Sequence, residues 1–209
     1  MDAGLLLKCR HLCTFDTSER SLSFFVIVLA YVFCHGLTAL VVSPVQSLVF
    51  PEITVFASLV YLPHGVRVLA TWAHGWKAIP ALIVGVSLSA WIFSPSADLN
   101  FLEPALLGGI FVGAVTAFIA FELGRFAGFN FYFGRSKKLQ WKGMIALGAL
   151  SSVINSFGQT LVYAELIDLE KIVGVWVIYA IGDLIGLVVC MIGLMFVFRW
   201  SRIFKGVKS

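Results

Sequence analysis

Long apolar runs dominate this chain, and they limit how it can fold more than any other feature. Most of them approach the roughly 20 residues that a helix needs to cross a hydrocarbon core. Only 12% of the residues are charged and 60% are hydrophobic, whereas soluble domains carry about 25% charged residues. The sequence therefore predicts an all-α integral membrane protein with a single transmembrane domain, 1–209. We predict a bundle of six transmembrane helices at about residues 21–43, 53–73, 77–93, 104–123, 143–163 and 172–198.

The distribution of lysine and arginine predicts the orientation of these helices. If the chain starts inside and crosses six times, every Lys and Arg except Lys171 lies in or near an inner segment. Acidic residues such as Glu52, Glu103 and Glu165 lie in the outer loops. Because inner loops are enriched in Lys and Arg, we predict that the N- and C-termini are both cytoplasmic.

Several polar side chains interrupt the predicted spans at a similar depth. An ionisable group inside a bilayer is costly and normally faces a partner or a cavity. Asp183 needs Arg67 or His64 beside it, or it must be protonated. Arg67 also has a structural explanation, because a long side chain can reach the interface. The sequence leaves open whether Asp183 and Arg67 close on each other or flank a cavity. The predicted ligand-binding or functional polar cluster is His35, His64, Arg67, Asn155, Gln159 and Asp183.

Four proline and glycine positions are predicted to interrupt the backbone near this cluster. Pro63 and Gly65 weaken the hydrogen-bond ladder of the second span, and Gly182 and Gly186 lie in the sixth. Broken backbone is tolerated in a bilayer only where protein or a cavity satisfies it. Small residues four apart also allow close packing, which predicts a central position for the sixth span. The combination predicts a small polar pocket at mid-depth.

The loop 125–142 is rich in both basic and aromatic residues, which suits anionic headgroups. We predict that this loop anchors the protein to the lipid bilayer, and that it or the C-terminal tail offers a docking surface for a protein partner. Glu122 and Arg125 are predicted to pair at a helix end. The sequence holds no metal-ligand pattern, no Gly-x-Ser-x-Gly and no basic helix for nucleic acid. It therefore predicts no enzyme, no metal or other cofactor and no nucleic-acid partner.

Two segments combine proline, glycine and aromatic residues. The first is YLPHGVRVLA at 61–70, followed by GWKAIP at 75–80 and Gly85, and the second is WVIYAIGDLIG at 176–186. Together they resemble the integral membrane sensor domain MASE1 of bacterial histidine kinases and diguanylate cyclases. The predicted spans are fewer than that family usually has. Few residues follow Phe198, so the resemblance implies a multi-pass sensing module of the bacterial inner membrane that signals through a separate partner.

Three functions are compatible with these observations. The first is a MASE1-like sensing or binding module with a mid-membrane polar pocket for a small-molecule ligand. The second is a small solute transporter, or the substrate-binding subunit of an energy-coupling-factor importer. The third is a structural or assembly subunit of a larger membrane complex, in which the polar residues only specify how the helices pack.

Overall fold

The computed structural model describes residues 3–49, 58–93, 103–134, 141–163 and 172–206. Within these ranges the regular structure is helical, with no β-strand. We number the α-helices in chain order. They are α1 (Ala3–Leu37), α2 (Ser43–Val49), α3 (Leu62–His74), α4 (Ala78–Phe93), α5 (Pro104–Phe126), α6 (Trp141–Val162) and α7 (Ile172–Gly206).

Five helical segments of the described chain are long and apolar enough to cross a membrane, which supports a multi-pass, all-α membrane protein. They are Glu19–Val49, Leu62–Phe93, Pro104–Phe126, Trp141–Val162 and Trp176–Val197. The second segment contains α3 and α4, joined by a 3-10 turn at Gly75–Lys77. The count of six crossings and the cytoplasmic termini stay predictions.

The first helical segment does not stop at Pro44, although a break was predicted there. A π-helical stretch, Thr38–Val42, connects α1 to α2, and the helix continues to Val49. Proline lacks an N–H, and its ring collides with the carbonyl four residues earlier in a regular α-helix. Because a π-helical turn is wider, it lets the chain pass Pro44 without ending the helix.

The second predicted span, 53–73, differs most from the structure. Residues 58–61 are not helical, and α3 begins only at Leu62; residues 53–57 lie outside the described ranges. Pro63 occupies the first turn of α3, where a missing N–H costs nothing. Pro63 and Gly65 therefore follow the break instead of forming it. With 13 residues, α3 is about 20 Å long, too short to cross the membrane alone.

The non-helical backbone before α3 finds its hydrogen bonds in other helices. The Leu59 N–H donates to Gln46 Oε1 at 2.7 Å, and the Tyr61 N–H donates to the Gly182 carbonyl at 3.0 Å. The Leu62 N–H donates to Thr38 Oγ1 at 3.3 Å. Buried N–H groups without partners are rare, so these three contacts make a break tenable at this depth.

Gly182 and Gly186 mark where the non-helical segment crosses α7. The sequence predicted a backbone break at each of them, but both lie inside a continuous helix, so that prediction is wrong. A Cβ on Gly182 would collide with the Ser58 carbonyl, and one on Gly186 would collide with the Tyr61 carbonyl. The two glycines thus create the groove that holds residues 58–61.

The short helix α3 is the centre of the bundle. It packs against α1, α4, α5, α6 and α7, and most of its residues are buried, from Leu62 to Val68 without interruption. The prediction that the last span is central is wrong. Helix α7 packs mainly on α3 and α6 and exposes apolar residues such as Ile181, Ile185 and Val189.

A compact turn follows α5 and covers one end of the bundle. The Phe133 N–H donates to the Trp72 carbonyl at 3.0 Å, and the two rings are 5.0 Å apart. The predicted Glu122–Arg125 pair is confirmed at 3.2 Å. The Tyr132 hydroxyl also donates to Glu122 Oε1 at 2.8 Å. Burial and the Glu122 carboxylate raise the pKa of Tyr132, so the phenol keeps its proton at neutral pH.

Removing the Tyr132 hydroxyl tests whether this turn is fixed to α5. We expect Tyr132→Phe to lower the free energy of unfolding by about 1 kcal/mol, the net value of one hydrogen bond. Thermal unfolding in detergent measures the change. In a cycle with Glu122→Ala, the two effects should be less than additive. Strict additivity would show that the hydroxyl and the carboxylate do not interact.

Candidate functional site

Two basic side chains, His64 and Arg67, lie in the first turns of α3 and are buried in the bundle. The exposed fraction is 0% for His64 and 3% for Arg67. They are three residues apart and therefore share one side of the helix. His64 contacts α6 and α7, and Arg67 contacts α1 and α6. The start of the central helix thus carries the groups that need neutralising partners.

Asp183 on α7 has its close partners on two other helices. Asn155 Nδ2 donates to Asp183 Oδ2 at 2.7 Å. His64 Nδ1 lies 3.2 Å from the same oxygen, near enough for an ion pair but without the alignment of a hydrogen bond. The other ring nitrogen of His64 is 3.2 Å from the Gly148 carbonyl on α6. Asp183, which is 2% exposed, is therefore shared between an imidazole and an amide.

Arg67 binds neutral groups directly and reaches Asp183 only through Asn155. Its Nη1 donates to Asn155 Oδ1 at 3.3 Å, and its Nη2 donates to the Tyr31 hydroxyl at 2.8 Å. Among the described residues, no carboxylate oxygen lies within 4.0 Å of the guanidinium. The Asn155 amide thus bridges the cation and the anion, with its oxygen toward one and its nitrogen toward the other.

Two tyrosine rings flank the guanidinium. The Arg67 Cζ lies 5.6 Å from the centroid of Tyr31 and 5.4 Å from that of Tyr61. Aromatic faces attract cations at this range. The two hydroxyls are 3.3 Å apart, so the rings and Arg67 form one cluster. The sequence-based selection of site residues did not include either tyrosine.

Gly113 on α5 makes room for the guanidinium. A Cβ at this position would stand 2.7 Å from Arg67 Nη2 and 3.0 Å from Cζ. From the sequence, small residues were expected only to allow close helix packing. Gly113 shows that they also shape the site, because any larger side chain would displace Arg67.

Gln159 and His35 lie near the cluster but outside the hydrogen-bonded chain. Gln159 Nε2 donates to the Gly109 carbonyl at 3.0 Å. The His35 ring stacks on Tyr31 at 6.4 Å and meets Tyr61 edge-on at 6.2 Å. His35 Nδ1 is buried without a hydrogen-bond partner among the described residues. The structure therefore joins His64, Arg67, Asn155 and Asp183 directly, and it places the other two predicted residues around them.

A cavity of about 360 Å³ opens beside Arg67. Arg67 and Asn155 line it, whereas Asp183 and His64 are not among its described lining residues. Among its described lining residues, Arg67 carries the only permanent charge. The lining consists of His35, Thr38, Ala39, Ser43, Ser58, Tyr61, Arg67, Val86, Ala90, Leu106, Gly109, Ile110, Asn155, Gln159, Tyr163 and Tyr179.

Not every polar atom at this site has a hydrogen-bond partner within the described part of the chain. The Arg67 Nε, like His35 Nδ1, has no hydrogen-bond partner among the described residues. Arginine has five N–H donors and no acceptor, and the unpartnered Nε of Arg67 is itself buried. The described residues contain no cluster of three or more potential metal ligands. Comparisons with protein families, with characterised proteins and with solved structures found no match for this chain.

Proposed function

We propose that this protein is a MASE1-like sensing and binding module of the bacterial inner membrane, with six transmembrane helices and cytoplasmic termini. In this proposal a small anion binds in the cavity beside Arg67, and a separate protein receives the signal. The observation that carries the proposal is the buried Arg67 guanidinium, which faces the cavity without a carboxylate at contact distance.

The position of Arg67 supports a ligand-binding role over a purely structural one. A buried charge is tolerated when it is paired and hydrogen-bonded. In a closed structural network the guanidinium would meet its carboxylate directly, and the donors around it would be used. Here an amide separates the two charges, and Nε remains unpartnered among the described groups. An anion in the cavity would give the guanidinium the direct counter-charge that it lacks among the described residues.

The hydrogen-bonded chain gives a route from the cavity to the last helix. A ligand that draws Arg67 away from Asn155 also changes the contact between Asn155 and Asp183. Asp183 lies on α7, which continues without a break to Gly206. A small shift at the site is thereby carried along a rigid element to the predicted cytoplasmic side. The loop 125–142 and the tail after Phe198 are the surfaces that we propose for the partner.

Transport is the second candidate, and the non-helical segment 58–61 favours it. Helices that begin inside the membrane, with their N-terminal ends at a polar site, are common in secondary transporters. Helix α3 begins at Leu62, beside the cavity-lining residues Ser58 and Tyr61. Uptake of a labelled ligand into proteoliposomes separates the two functions, because a sensing module binds the ligand without accumulating it.

A panel of small molecules tests the proposed binding. The purified protein is melted in the presence of benzoate, succinate, inorganic phosphate or neutral benzamide. We expect at least one anion to stabilise the protein, by about 2.7 kcal/mol at a concentration 100 times its Kd. The effect should vanish in Arg67→Gln and persist in Arg125→Gln, whose cation is exposed at a helix end.

Two results would contradict the proposal. The first is that no anion of the panel raises the melting temperature of the wild-type protein. The second is that an anion stabilises Arg67→Gln as much as the wild type. If Arg67→Gln does not fold, Arg67→Lys serves instead, because it keeps the charge but loses the planar fork. Weakened binding is then the expected result.

A further inference from the structure

We infer that the cavity beside Arg67 accepts a monocarboxylate with an apolar body, and that His64 takes up one proton when this anion binds. This inference rests on the proposed function and adds the class of ligand and its coupling to protons. It follows from the charges in and behind the cavity, from the lining, and from the position of His64 against Asp183.

The number of charges selects a monoanion. Arg67 is the only permanent charge in the described lining, and its planar guanidinium matches the geometry of a carboxylate. A dicarboxylate would bring a second negative charge into this site without a second cation, and inorganic phosphate has no apolar body to fill the cavity. Burying an unpaired charge is strongly unfavourable. The site should therefore discriminate against dianions of similar size.

The rest of the cavity selects the body of the ligand. A volume of about 360 Å³ lies near the small end of the roughly 300–1,000 Å³ range of ligand sites. Val86, Ala90, Leu106 and Ile110 supply apolar lining. Such a wall suits a single ring or a short branched chain. A carboxylate on that body would meet Arg67 at one end, and the apolar lining would cover the remainder.

Charge balance couples this ligand to a proton. Without ligand, the positive charge of Arg67 and the negative charge of Asp183 cancel, so a proton on His64 would leave the buried cluster with a net charge of one. With a carboxylate bound, the same proton restores neutrality. His64 Nδ1 already lies 3.2 Å from Asp183 Oδ2, so a protonated ring forms an ion pair at once. Anion and proton thus favour each other's binding, as linkage requires.

The surroundings of His64 point to this ring as the acceptor. Asp183 and Arg67 are the charged groups that act on it. His35 also borders the cavity, but it faces Tyr31, Tyr61 and Phe93. Helices α5 and α6 carry ionisable groups only near their ends, and α4 carries none. The titratable and charged groups on the described elements around His64 include Tyr31, Cys34 and His35 on α1, Tyr61 before α3, Arg67 and His74 on α3, Glu122 and Arg125 on α5, Lys142 on α6, and Tyr179, Asp183 and Cys190 on α7.

Calorimetric titration of the full chain with benzoate tests the inference. Benzoate stays ionised from pH 6 to 8, since carboxylic acids titrate near about 4. We expect the Kd for benzoate to fall by up to about tenfold for each unit decrease in pH. Titrations in two buffers with different ionisation enthalpies should show the uptake of nearly one proton per benzoate. Succinate and inorganic phosphate should bind at least about tenfold more weakly.

Two variants test which histidine takes up the proton. His64→Gln should abolish both the pH dependence and the proton uptake, whereas His35→Asn should retain them. If the loss occurs in His35→Asn instead, the assignment to His64 is wrong. Binding of benzoate without proton uptake in the wild type would overturn the coupling, and equal binding of succinate or phosphate would overturn the ligand class. Both outcomes leave the proposed function intact, whereas a failure of every anion to bind overturns that function itself.

Discussion

Replacing Gly186 with alanine is expected to destabilise the protein by at least about 2 kcal/mol, which is within the usual cost of overpacking a core. The added Cβ would fall on the Tyr61 carbonyl, which is backbone and cannot rotate away. Either residues 58–61 move or α7 separates from α3. Thermal unfolding of the purified protein in detergent measures the loss, and Gly182→Ala should act similarly through the Ser58 carbonyl.

Gly193 provides the matched control in the same helix. A Cβ there meets nothing within 4 Å among the described residues. Glycine inside a helix is about 1 kcal/mol less favourable than alanine, so Gly193→Ala should be neutral or slightly stabilising. If Gly186→Ala melts at the same temperature as Gly193→Ala, residues 58–61 do not lie against α7 in the way described.

Replacing Asp183 with asparagine is expected to cost about 3–5 kcal/mol, the usual penalty for leaving a buried charge without its counter-charge. Asparagine keeps the shape of the side chain and can still accept the hydrogen bond from Asn155. The loss would therefore report the charge, because Arg67 would remain buried without an anion in its cluster. Unfolding of the variant in detergent, by heat or denaturant, measures the effect.

A second substitution tests whether the stability lost in Asp183→Asn comes from the unbalanced charge of Arg67. Arg67→Met removes the cation that Asp183→Asn leaves unbalanced, so the double variant should recover about 2 kcal/mol relative to the sum of the single effects. Glu122→Gln serves as the control, because its partner Arg125 is exposed and such pairs contribute at most about 1 kcal/mol. Additive losses in the double variant would mean that Asp183 does not balance Arg67.

The sequence predicted the later helices well because their ends carry local signals. Helix α5 begins at Pro104 after Glu103, as predicted, and α4 ends at Phe93. Proline fits the first turn of a helix, and a cluster of turn-forming residues follows Phe93. Such signals depend only on neighbours in the chain, so they can be recognised without knowing the fold.

The break before α3 could not be predicted, because its causes lie elsewhere in the chain. Residues 53–62 are mainly apolar, and an apolar run gives no indication of whether its backbone is helical. The groups that satisfy the non-helical segment are Thr38, Gln46 and Gly182. They belong to distant parts of the sequence, and only the folded bundle brings them together.

The polar cluster was predicted in its members but not in its pairing. Depth along each helix placed His64, Arg67, Asn155 and Asp183 in one layer. Which of them touch depends on how each helix is rotated about its axis, and depth contains no information on rotation. Tyr31 was not predicted as a site residue because a tyrosine in a membrane helix is common. Its spacing of four residues from His35 was the signal available, since such residues share a helix face.

The permanent charge of Arg67 has a further consequence for the barrier that the membrane must maintain. A cavity inside a bilayer shortens the path of ions through the hydrocarbon core, and carboxylates around such a cavity would favour the entry of cations. A guanidinium does not release its proton at physiological pH, so the described wall of this cavity stays positive and repels hydronium and metal cations. In our proposal, a proton therefore enters only in the company of an anion.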